Sequence, residues 1–277
     1  MSKEPETENL AVFCDFENVA IGVRDARHDQ FDIRKVLERL LLKGSIVVKK
    51  AYCDWERYKD FKAAMHEAAF ELIEIPHVRQ SGKNSADIRM VVDALDLCYT
   101  KSHVDTFVIV SGDSDFSPLV SKLRENNKIV IGVGVKSSTS DLLIANCDEF
   151  IYYDDLVRKK QPRKRPAPRK APAGRGATQP AKEPKEDKDA EERTQAALDL
   201  VMETVEALAE ERGAEEKIWG SMVKQTLKRR RPGFNESYYG FRSFNRLIEE
   251  AAARGLVDLE RDEKSGGYII RRFHQEE

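Results

Sequence analysis

The hexapeptide Ser111-Gly112-Asp113-Ser114-Asp115-Phe116 directly follows the apolar run Phe107-Val108-Ile109-Val110. A short β-branched run bounded by glycine is typical of a buried strand and of the turn that ends it. Two carboxylates, those of Asp113 and Asp115, are therefore predicted at the carboxyl end of a central strand. In open α/β sheets, ligands and chemistry gather at that edge.

Strand and helix patterns alternate on both sides of the hexapeptide, from residue 10 to residue 157. The predicted strands are Leu10–Cys14, Ile46–Tyr52, Glu71–Val78, Phe107–Val110, Ile129–Val135 and Phe150–Tyr153. The predicted helices are Ile33–Lys43, Glu56–Ala69, Ala86–Tyr99, Pro118–Arg124 and Asp141–Ala145. Repeating β-α units with right-handed crossovers predict a mostly parallel sheet with helices on both faces, a three-layer α/β/α domain.

Two short sequences indicate where helices of this domain begin. Asp32 is placed to cap the helix that starts at Ile33, and Ser117-Pro118 fits an N-cap followed by proline at the first helical position. Asp113 and Asp115 are then left in the loop before the helix.

Four acidic residues fall where this fold would bring them together. Asp15 ends the first predicted strand, Asp87 lies in the first turn of the third helix, and Asp113 and Asp115 follow the fourth strand. If the first and fourth strands are neighbours, all four line one crevice. Clustered carboxylates repel one another and need a cation to coexist in the ionised form. Oxygen ligands without Cys or His favour Mg²⁺ or Mn²⁺ over Zn²⁺, although each Asp alone could equally be a helix cap or turn former.

The segment between residues 158 and 192 differs from the rest of the chain in composition. Six of the ten prolines and 12 Lys or Arg, against 4 Asp or Glu, lie within residues 158–190, whereas the whole chain has a net charge of −2. A segment with almost no large apolar residues cannot bury a core, so an extended linker is predicted. The positive charge of this segment attracts polyanions of any sequence. The run of basic residues also resembles a nuclear import signal. The residues expected to contact RNA here are Arg158, Lys159, Lys160, Arg163, Lys164 and Arg165.

Ordered patterns return between residues 193 and 273. The predicted elements are a helix over Ala196–Glu211, a short helix from Ser221, a helix over Tyr239–Arg254, and a two-stranded wing formed by Leu256–Leu259 and Tyr268–Ile270. Three helices and a wing predict a small winged-helix domain. Arg229 and Arg230, near the end of its second helix, would contact phosphate or complement the helix dipole.

Composition restricts the setting in which the protein would work. The four cysteines lack CxxC spacing and lie in or beside apolar runs, which predicts buried thiols in a reducing compartment. No apolar run approaches the roughly 18 residues of a membrane span, and residues 1–9 are acidic and polar rather than signal-like. We therefore expect a soluble protein without membrane contact. It would be cytoplasmic in a bacterium, which the compact two-module layout favours, and nuclear in a eukaryote.

Three short motifs in the first domain carry a family resemblance. Asp15-Phe16-Glu17-Asn18, Lys83-Asn84-Ser85-Ala86-Asp87 and the hexapeptide, in this order, resemble the NYN domain, a LabA-like branch of the PIN-like ribonucleases. The resemblance covers about residues 10–157. It implies a metal-dependent endoribonuclease in which Asp15, Asp87, Asp113 and Asp115 hold Mg²⁺ or Mn²⁺. Asn18 would orient the substrate or a water, while Lys83 and Arg89 flank Asp87 and would contact phosphate or remain solvated.

The C-terminal segment carries a second resemblance. Ile218-Trp219, Pro232-Gly233-Phe234 and Tyr239-Gly240-Phe241 resemble the OST-HTH (LOTUS) domain, a winged-helix module that accompanies NYN domains. The similarity covers about residues 193–273. It implies RNA as a partner, or a homodimer or protein partner contacted through this module.

Three functions are consistent with these observations. The first is an endoribonuclease that hydrolyses phosphodiester bonds of mainly single-stranded RNA, with an RNA-binding C-terminal module. The second is a non-cleaving RNA-binding or adaptor protein in RNA regulation. The third is a haloacid-dehalogenase-like phosphatase, although its mechanism needs a second Asp two residues after the nucleophile, where this chain has Glu17.

Overall fold

The computed structural model describes residues 8–28, 30–75, 85–157, 185–212, 217–262 and 266–273. The chain divides into two compact units, the first built on residues up to Val157 and the second on most of the residues that follow.

A six-stranded parallel sheet forms the centre of the first unit. Its strands are β1 (Glu8–Asp15), β2 (Gly44–Cys53), β3 (Glu71–Glu74), β4 (Thr106–Val110), β5 (Ile129–Gly134) and β6 (Glu149–Tyr152). They lie side by side in the order β3-β2-β1-β4-β5-β6, and every neighbouring pair is parallel. The predicted parallel sheet is confirmed, and so is the adjacency of the first and fourth strands.

Seven helices cover the two faces of this sheet in the described residues. They are α1 (Phe16–Asp25), α2 (Ile33–Leu41), α3 (Lys59–Glu67), α4 (Ser85–Thr100), α5 (Ser117–Glu125), α6 (Asp141–Asn146) and α7 (Tyr153–Val157), with a 3₁₀ turn over Ser114–Phe116 before α5. Helices α1, α2, α3 and α7 pack on one face, where Val12 and Val108 point. Helices α4, α5 and α6 pack on the other, where Phe13 and Phe107 stack with ring centroids 6.0 Å apart. The predicted three layers are confirmed.

Burial on both faces explains why the central strands read as unbroken apolar runs. Residues Leu10–Cys14 of β1 and all five residues of β4 are buried. A parallel strand covered by helices on either side has no solvent face on which polar residues would alternate. These two strands end side by side, which fixes the position of the acidic residues that follow them.

The structure corrects several predicted boundaries. Helix α1 follows Asp15 without a loop, and α7 follows β6 directly; neither helix was predicted. Asp32 does cap α2, since its Oδ1 accepts a hydrogen bond from the Arg34 backbone N–H at 3.1 Å. Ser117, expected to be an N-cap, is instead the first residue of α5, because the 3₁₀ turn ahead of it is capped by Asp113. Strand β3 ends at Glu74, and residues 76–78 of its predicted span lie outside the described residues.

The elements beyond the linker combine helices with an antiparallel sheet. They are α8 (Lys185–Arg212), β7 (Ile218–Trp219), α9 (Gly220–Arg230), α10 (Phe244–Ala253), β8 (Val257–Arg261) and β9 (Tyr268–Phe273). The strand order is β7-β9-β8, with both pairs antiparallel. This sequence of elements agrees with the predicted winged helix, with three differences. Strand β7 adds a third strand to the wing, α8 begins at Lys185 within the predicted linker, and α10 begins at Phe244 rather than Tyr239. Among the described residues, no helix combines the length and the apolar character that a membrane crossing requires.

Candidate active site at the carboxyl edge of the sheet

Asp15 is the most buried acidic residue at this edge. It is the last residue of β1, its exposed fraction is 8%, and it serves as the N-cap of α1. Its Oδ1 accepts a hydrogen bond from the Asn18 backbone N–H at 3.4 Å, and its Oδ2 accepts one from Ser111 Oγ at 3.0 Å. Both bonds favour the ionised carboxylate and hold it in a single orientation.

The hexapeptide after β4 is folded by hydrogen bonds within itself. Ser111 Oγ also accepts a hydrogen bond from the Asp113 backbone N–H at 3.2 Å. Asp113 Oδ1 in turn accepts one from the Asp115 backbone N–H at 3.0 Å, which caps the 3₁₀ turn. Asp113 is therefore held in place after the end of β4, whereas the Asp115 side chain is exposed to solvent.

Asn18, in the first turn of α1, connects the end of β1 to the loop after β4. Its Oδ1 accepts a hydrogen bond from the Gly112 backbone N–H at 2.8 Å. The Gly112 carbonyl accepts one from the Ser140 backbone N–H at 3.0 Å, and a Cβ on Gly112 would lie 2.6 Å from the Ser138 carbonyl oxygen. The loop is thus too tightly packed for a side chain at position 112. The Asn18 side-chain oxygen supports this loop, and the role in orienting substrate or water stays a prediction.

Asp87 completes the set from the opposite layer. It lies in the first turn of α4, as predicted. Burial raises the pKa of Asp15 to about 7, and the nearby charge of Asp87 adds to this, while the hydrogen bonds from Ser111 and Asn18 oppose it. Burial also raises the pKa of Asp87, followed by the charges of Asp113 and Asp115. The four predicted acidic residues therefore share one electrostatic environment.

The donor chemistry of this cluster fits a divalent cation. Asp15 is a carboxylate withdrawn from water and surrounded by other carboxylates, and positive charge at this edge would stabilise its ionised form. All four donors are carboxylate oxygens, the ligands that Mg²⁺ and Mn²⁺ prefer. Within the described ranges, no three His, Cys, Asp or Glu side chains converge closely enough to hold a metal as they stand. Metal binding would therefore require these side chains to draw together.

Two residues that the sequence analysis did not assign also take part. Ser111 is fully buried and bonds both Asp15 and Asp113, and its hydroxyl at the first position after the strand was the available signal. Glu17 adds to the raised pKa of Asp87 and accepts a hydrogen bond from Arg57 Nη1 at 3.0 Å. The charge of Glu17 is thus partly balanced by Arg57.

Three of the predicted RNA-contacting residues lie in the described part of the chain, namely Arg89, Arg229 and Arg230. Arg89 Nε pairs with Asp93 Oδ1 at 3.1 Å, and Asp93 also accepts a hydrogen bond from Tyr52 Oη at 2.9 Å. Arg229 and Arg230 lie in the last turn of α9. Their contacts with RNA stay predictions. The remaining residues of that set lie outside the described residues: Lys83, Arg158, Lys159, Lys160, Arg163, Lys164 and Arg165.

Comparison with known families identifies the first unit. The NYN domain family matches residues 9–154, which is just over half of the chain. The chain therefore belongs to the NYN domain family, and its first unit is a nuclease-like domain of a kind associated with RNA.

Similar proteins match about half of this chain. Meiosis regulator and mRNA stability factor 1 of Xenopus tropicalis is 25% identical over 154 residues, which are 56% of this chain and 9% of that protein. An uncharacterised protein of Methanocaldococcus jannaschii is 28% identical over 140 residues, 48% of this chain and 55% of that one. The chain thus spans about half or less of these relatives. A protein of unknown function from Vibrio parahaemolyticus, known from a crystal structure, is 28% identical in sequence and has a TM-score of 0.49 to this chain. The match covers 56% of this chain and 98% of the Vibrio chain.

Proposed function

We propose that the protein is a metal-dependent endoribonuclease that hydrolyses phosphodiester bonds of mainly single-stranded RNA. One observation carries this proposal: the buried Asp15 carboxylate lies in the field of Asp87 and Asp113 at the carboxyl edge of the sheet. Stable proteins rarely leave such a charge uncompensated, so the arrangement is better explained by a function than by stability. Membership of a nuclease-like family supports the same conclusion, and so does similarity to the frog protein, which is named an mRNA stability factor.

The residues that would hold the metal are Asp15, Asp87, Asp113 and Asp115. One or two Mg²⁺ or Mn²⁺ ions, when bound, supply positive charge to the phosphodiester and lower the pKa of water. Ser111 and the Asn18 backbone fix the Asp15 carboxylate, and the Asp115 backbone fixes that of Asp113. Asp87 approaches on α4, from the opposite layer. These hydrogen bonds fix two of the four carboxylates, which leaves fewer side chains to reorder when the set draws together around an ion.

The segments after residue 157 would provide affinity for the substrate. Residues 158–175 contain nine basic and no acidic residues, and such a run binds a polyanion strongly at low salt. We assign residues 193–273 to an OST-HTH module that binds RNA or a protein partner. Positive charge outside the site would offset the repulsion between RNA phosphates and the acidic edge.

A cleavage assay with matched variants tests the proposal. Purified full-length protein is incubated with end-labelled single-stranded RNA in Mn²⁺, in Mg²⁺ and in EDTA. Asp113→Asn should lower the rate at least 100-fold, because it removes charge that balances the ion. Asp96→Asn, an exposed carboxylate on the same unit, is the control and should cleave like the wild type.

Each result of that assay separates the competing functions. Cleavage that survives both EDTA and Asp113→Asn would disprove the metal mechanism. Binding without cleavage in either metal would favour the RNA-binding adaptor, for which the unconverged carboxylates are the supporting observation. The match to the NYN domain argues against the haloacid-dehalogenase-like phosphatase.

A further inference from the structure

An open cleft of about 460 Å³ lies beside Asp115, between the start of α5 and helix α6. Its volume falls in the range of about 300–1,000 Å³ that small-ligand sites occupy. Three of the residues that line it carry hydroxyl groups, namely Ser114, Ser117 and Ser121. Leu142 of α6 also lines the cleft and is 58% exposed. The cleft therefore offers hydroxyl groups on the α5 side and an apolar side chain on the α6 side.

Ser117 supplies an independent sign that this cleft has an occupant. The residue is 6% exposed, and its Oγ has no hydrogen-bond partner within the described part of the chain. A buried hydroxyl without a partner is unfavourable, so most such groups in proteins are satisfied by protein, water or ligand. An N-cap position would have given the Ser117 hydroxyl a backbone partner. Ser117 is instead the first residue of α5, because the 3₁₀ turn occupies the positions before it.

The chemistry of the cleft favours a sugar over a phosphate. Hydroxyl groups both donate and accept hydrogen bonds, and they match the 2′-hydroxyl of a ribose, which does the same. A phosphate in this position would meet the negative charge of the exposed Asp115, whereas a ribose hydroxyl could donate to that carboxylate. The exposed face of Leu142 would contact the sugar or the edge of its base.

We propose that this cleft holds one ribose of the bound strand and reads its 2′-hydroxyl through Ser114, Ser117 and Ser121. The inference rests on the proposed function and extends it, since it assigns the discrimination between RNA and DNA to these serines. Because Asp115 belongs both to the cleft wall and to the acidic edge, the ribose would belong to a nucleotide near the cleaved bond.

The test measures binding in EDTA, where no cleavage occurs. The full chain is titrated with a short single-stranded RNA, the DNA of the same sequence, and a series of RNAs that each carry one 2′-deoxynucleotide. Moderate salt is used, because it weakens the sequence-independent contribution of the basic residues. One position of the series should bind about three to ten times more weakly than intact RNA, the effect of one neutral hydrogen bond.

Serine variants connect that effect to the cleft. Ser121→Ala and Ser117→Ala should bind intact RNA about as weakly as the wild type binds the sensitive 2′-deoxy RNA, and they should lose the difference between the two. Ser45→Ala, which changes an exposed serine at the second position of β2, should keep that difference. Ser117→Ala should also leave the thermal unfolding midpoint equal or higher, because it removes an unsatisfied hydroxyl; a serine needed only for folding would behave in the opposite way.

The outcomes separate this inference from the proposed function. Equal binding of RNA, DNA and every 2′-deoxy RNA would overturn the inference, and so would a 2′-deoxy effect that persists unchanged in the serine variants. If the proposed function is wrong, the RNA would instead remain uncleaved in the Mn²⁺ assay. A serine-dependent 2′-hydroxyl effect in EDTA supports the cleft assignment whether or not the RNA is cleaved.

Discussion

Ser111 Oγ donates a hydrogen bond of 3.0 Å to Asp15 Oδ2 and so joins the ends of the neighbouring strands β1 and β4. Both residues are buried, and Ser111 is fully so. The bond lowers the pKa of a carboxyl group whose burial and acidic neighbours raise it. Ser111 is therefore a positioning residue that acts through Asp15.

Replacing Ser111 by alanine should raise the pKa of Asp15 further above its ordinary value. A smaller fraction of Asp15 would then be ionised near neutral pH, so the acid limb of the cleavage profile should move to higher pH. The measurement is the cleavage rate against pH at saturating Mn²⁺ for wild type and Ser111→Ala. Ser111→Thr retains the hydroxyl and should move the limb less. An acid limb that stays in place in Ser111→Ala would contradict the assigned role.

Asp15 should also make the metal-free protein less stable as the pH rises. Its pKa is about 7 in the folded protein and about 3.8 without the fold, so the folded state binds the proton more tightly. The free energy of unfolding should therefore fall between about pH 4 and 7, by at most about 1.4 kcal/mol per pH unit from this group. Thermal unfolding in EDTA across this window measures the effect.

Asp15→Asn provides the matched comparison for that pH dependence. The amide cannot ionise, so the variant should lose most of the decline and be more stable than the wild type at the alkaline end. Mn²⁺ added at that pH should raise the midpoint of the wild type more than that of Asp15→Asn, because binding to the folded state alone stabilises it. Parallel pH curves for the two proteins would show that Asp15 is not the group responsible.

Much of this arrangement could be predicted from the sequence, because burial on both faces makes the central strands conspicuous. The runs Leu10–Cys14 and Phe107–Val110 predicted β1 and β4, and the acidic residues after them lie at the expected edge. Helix α1 was missed because it starts directly after β1 with no loop between them, and Asp15, which caps it, was assigned to the end of the strand. The Ser111–Asp15 bond was missed because it joins residues 96 positions apart, and periodicity carries no information on such contacts.

Asn18 should prove important for the stability of the site. Asn18→Ala removes the acceptor of the buried Gly112 backbone N–H and should cost about 1–3 kcal/mol in the free energy of unfolding. Asn18→Asp keeps an acceptor at the same place and adds a charge beside Asp15, so it should retain more stability at low pH than at high pH. Urea unfolding of both variants at two pH values checks this. Equal stability of Asn18→Ala and wild type would contradict a stabilising role for the hydrogen bond between Asn18 and Gly112.

Gly112→Ala should disturb the site more than its small change in volume suggests. The added Cβ would lie 2.6 Å from the Ser138 carbonyl oxygen and 3.1 Å from the Thr139 Cα, both of them backbone atoms that cannot turn aside. We expect a loss of about 1–3 kcal/mol in stability and a larger loss in cleavage, because the displaced loop carries Asp113. Urea unfolding and single-turnover cleavage measure the two. Wild-type cleavage would show that the loop tolerates the shift.

The basic segment 158–175 should account for most of the salt dependence of RNA binding. Each phosphate contact by Lys or Arg contributes a slope of about −0.7 to the plot of log affinity against log salt for single strands. Replacing the nine basic residues by Gln keeps the length of the linker and should reduce the magnitude of the slope by up to about 6. The cleavage rate at saturating RNA should be unchanged, since the acidic residues of the site are untouched. An unchanged slope would place the phosphate contacts elsewhere on the chain, with Arg229 and Arg230 the next pair to replace.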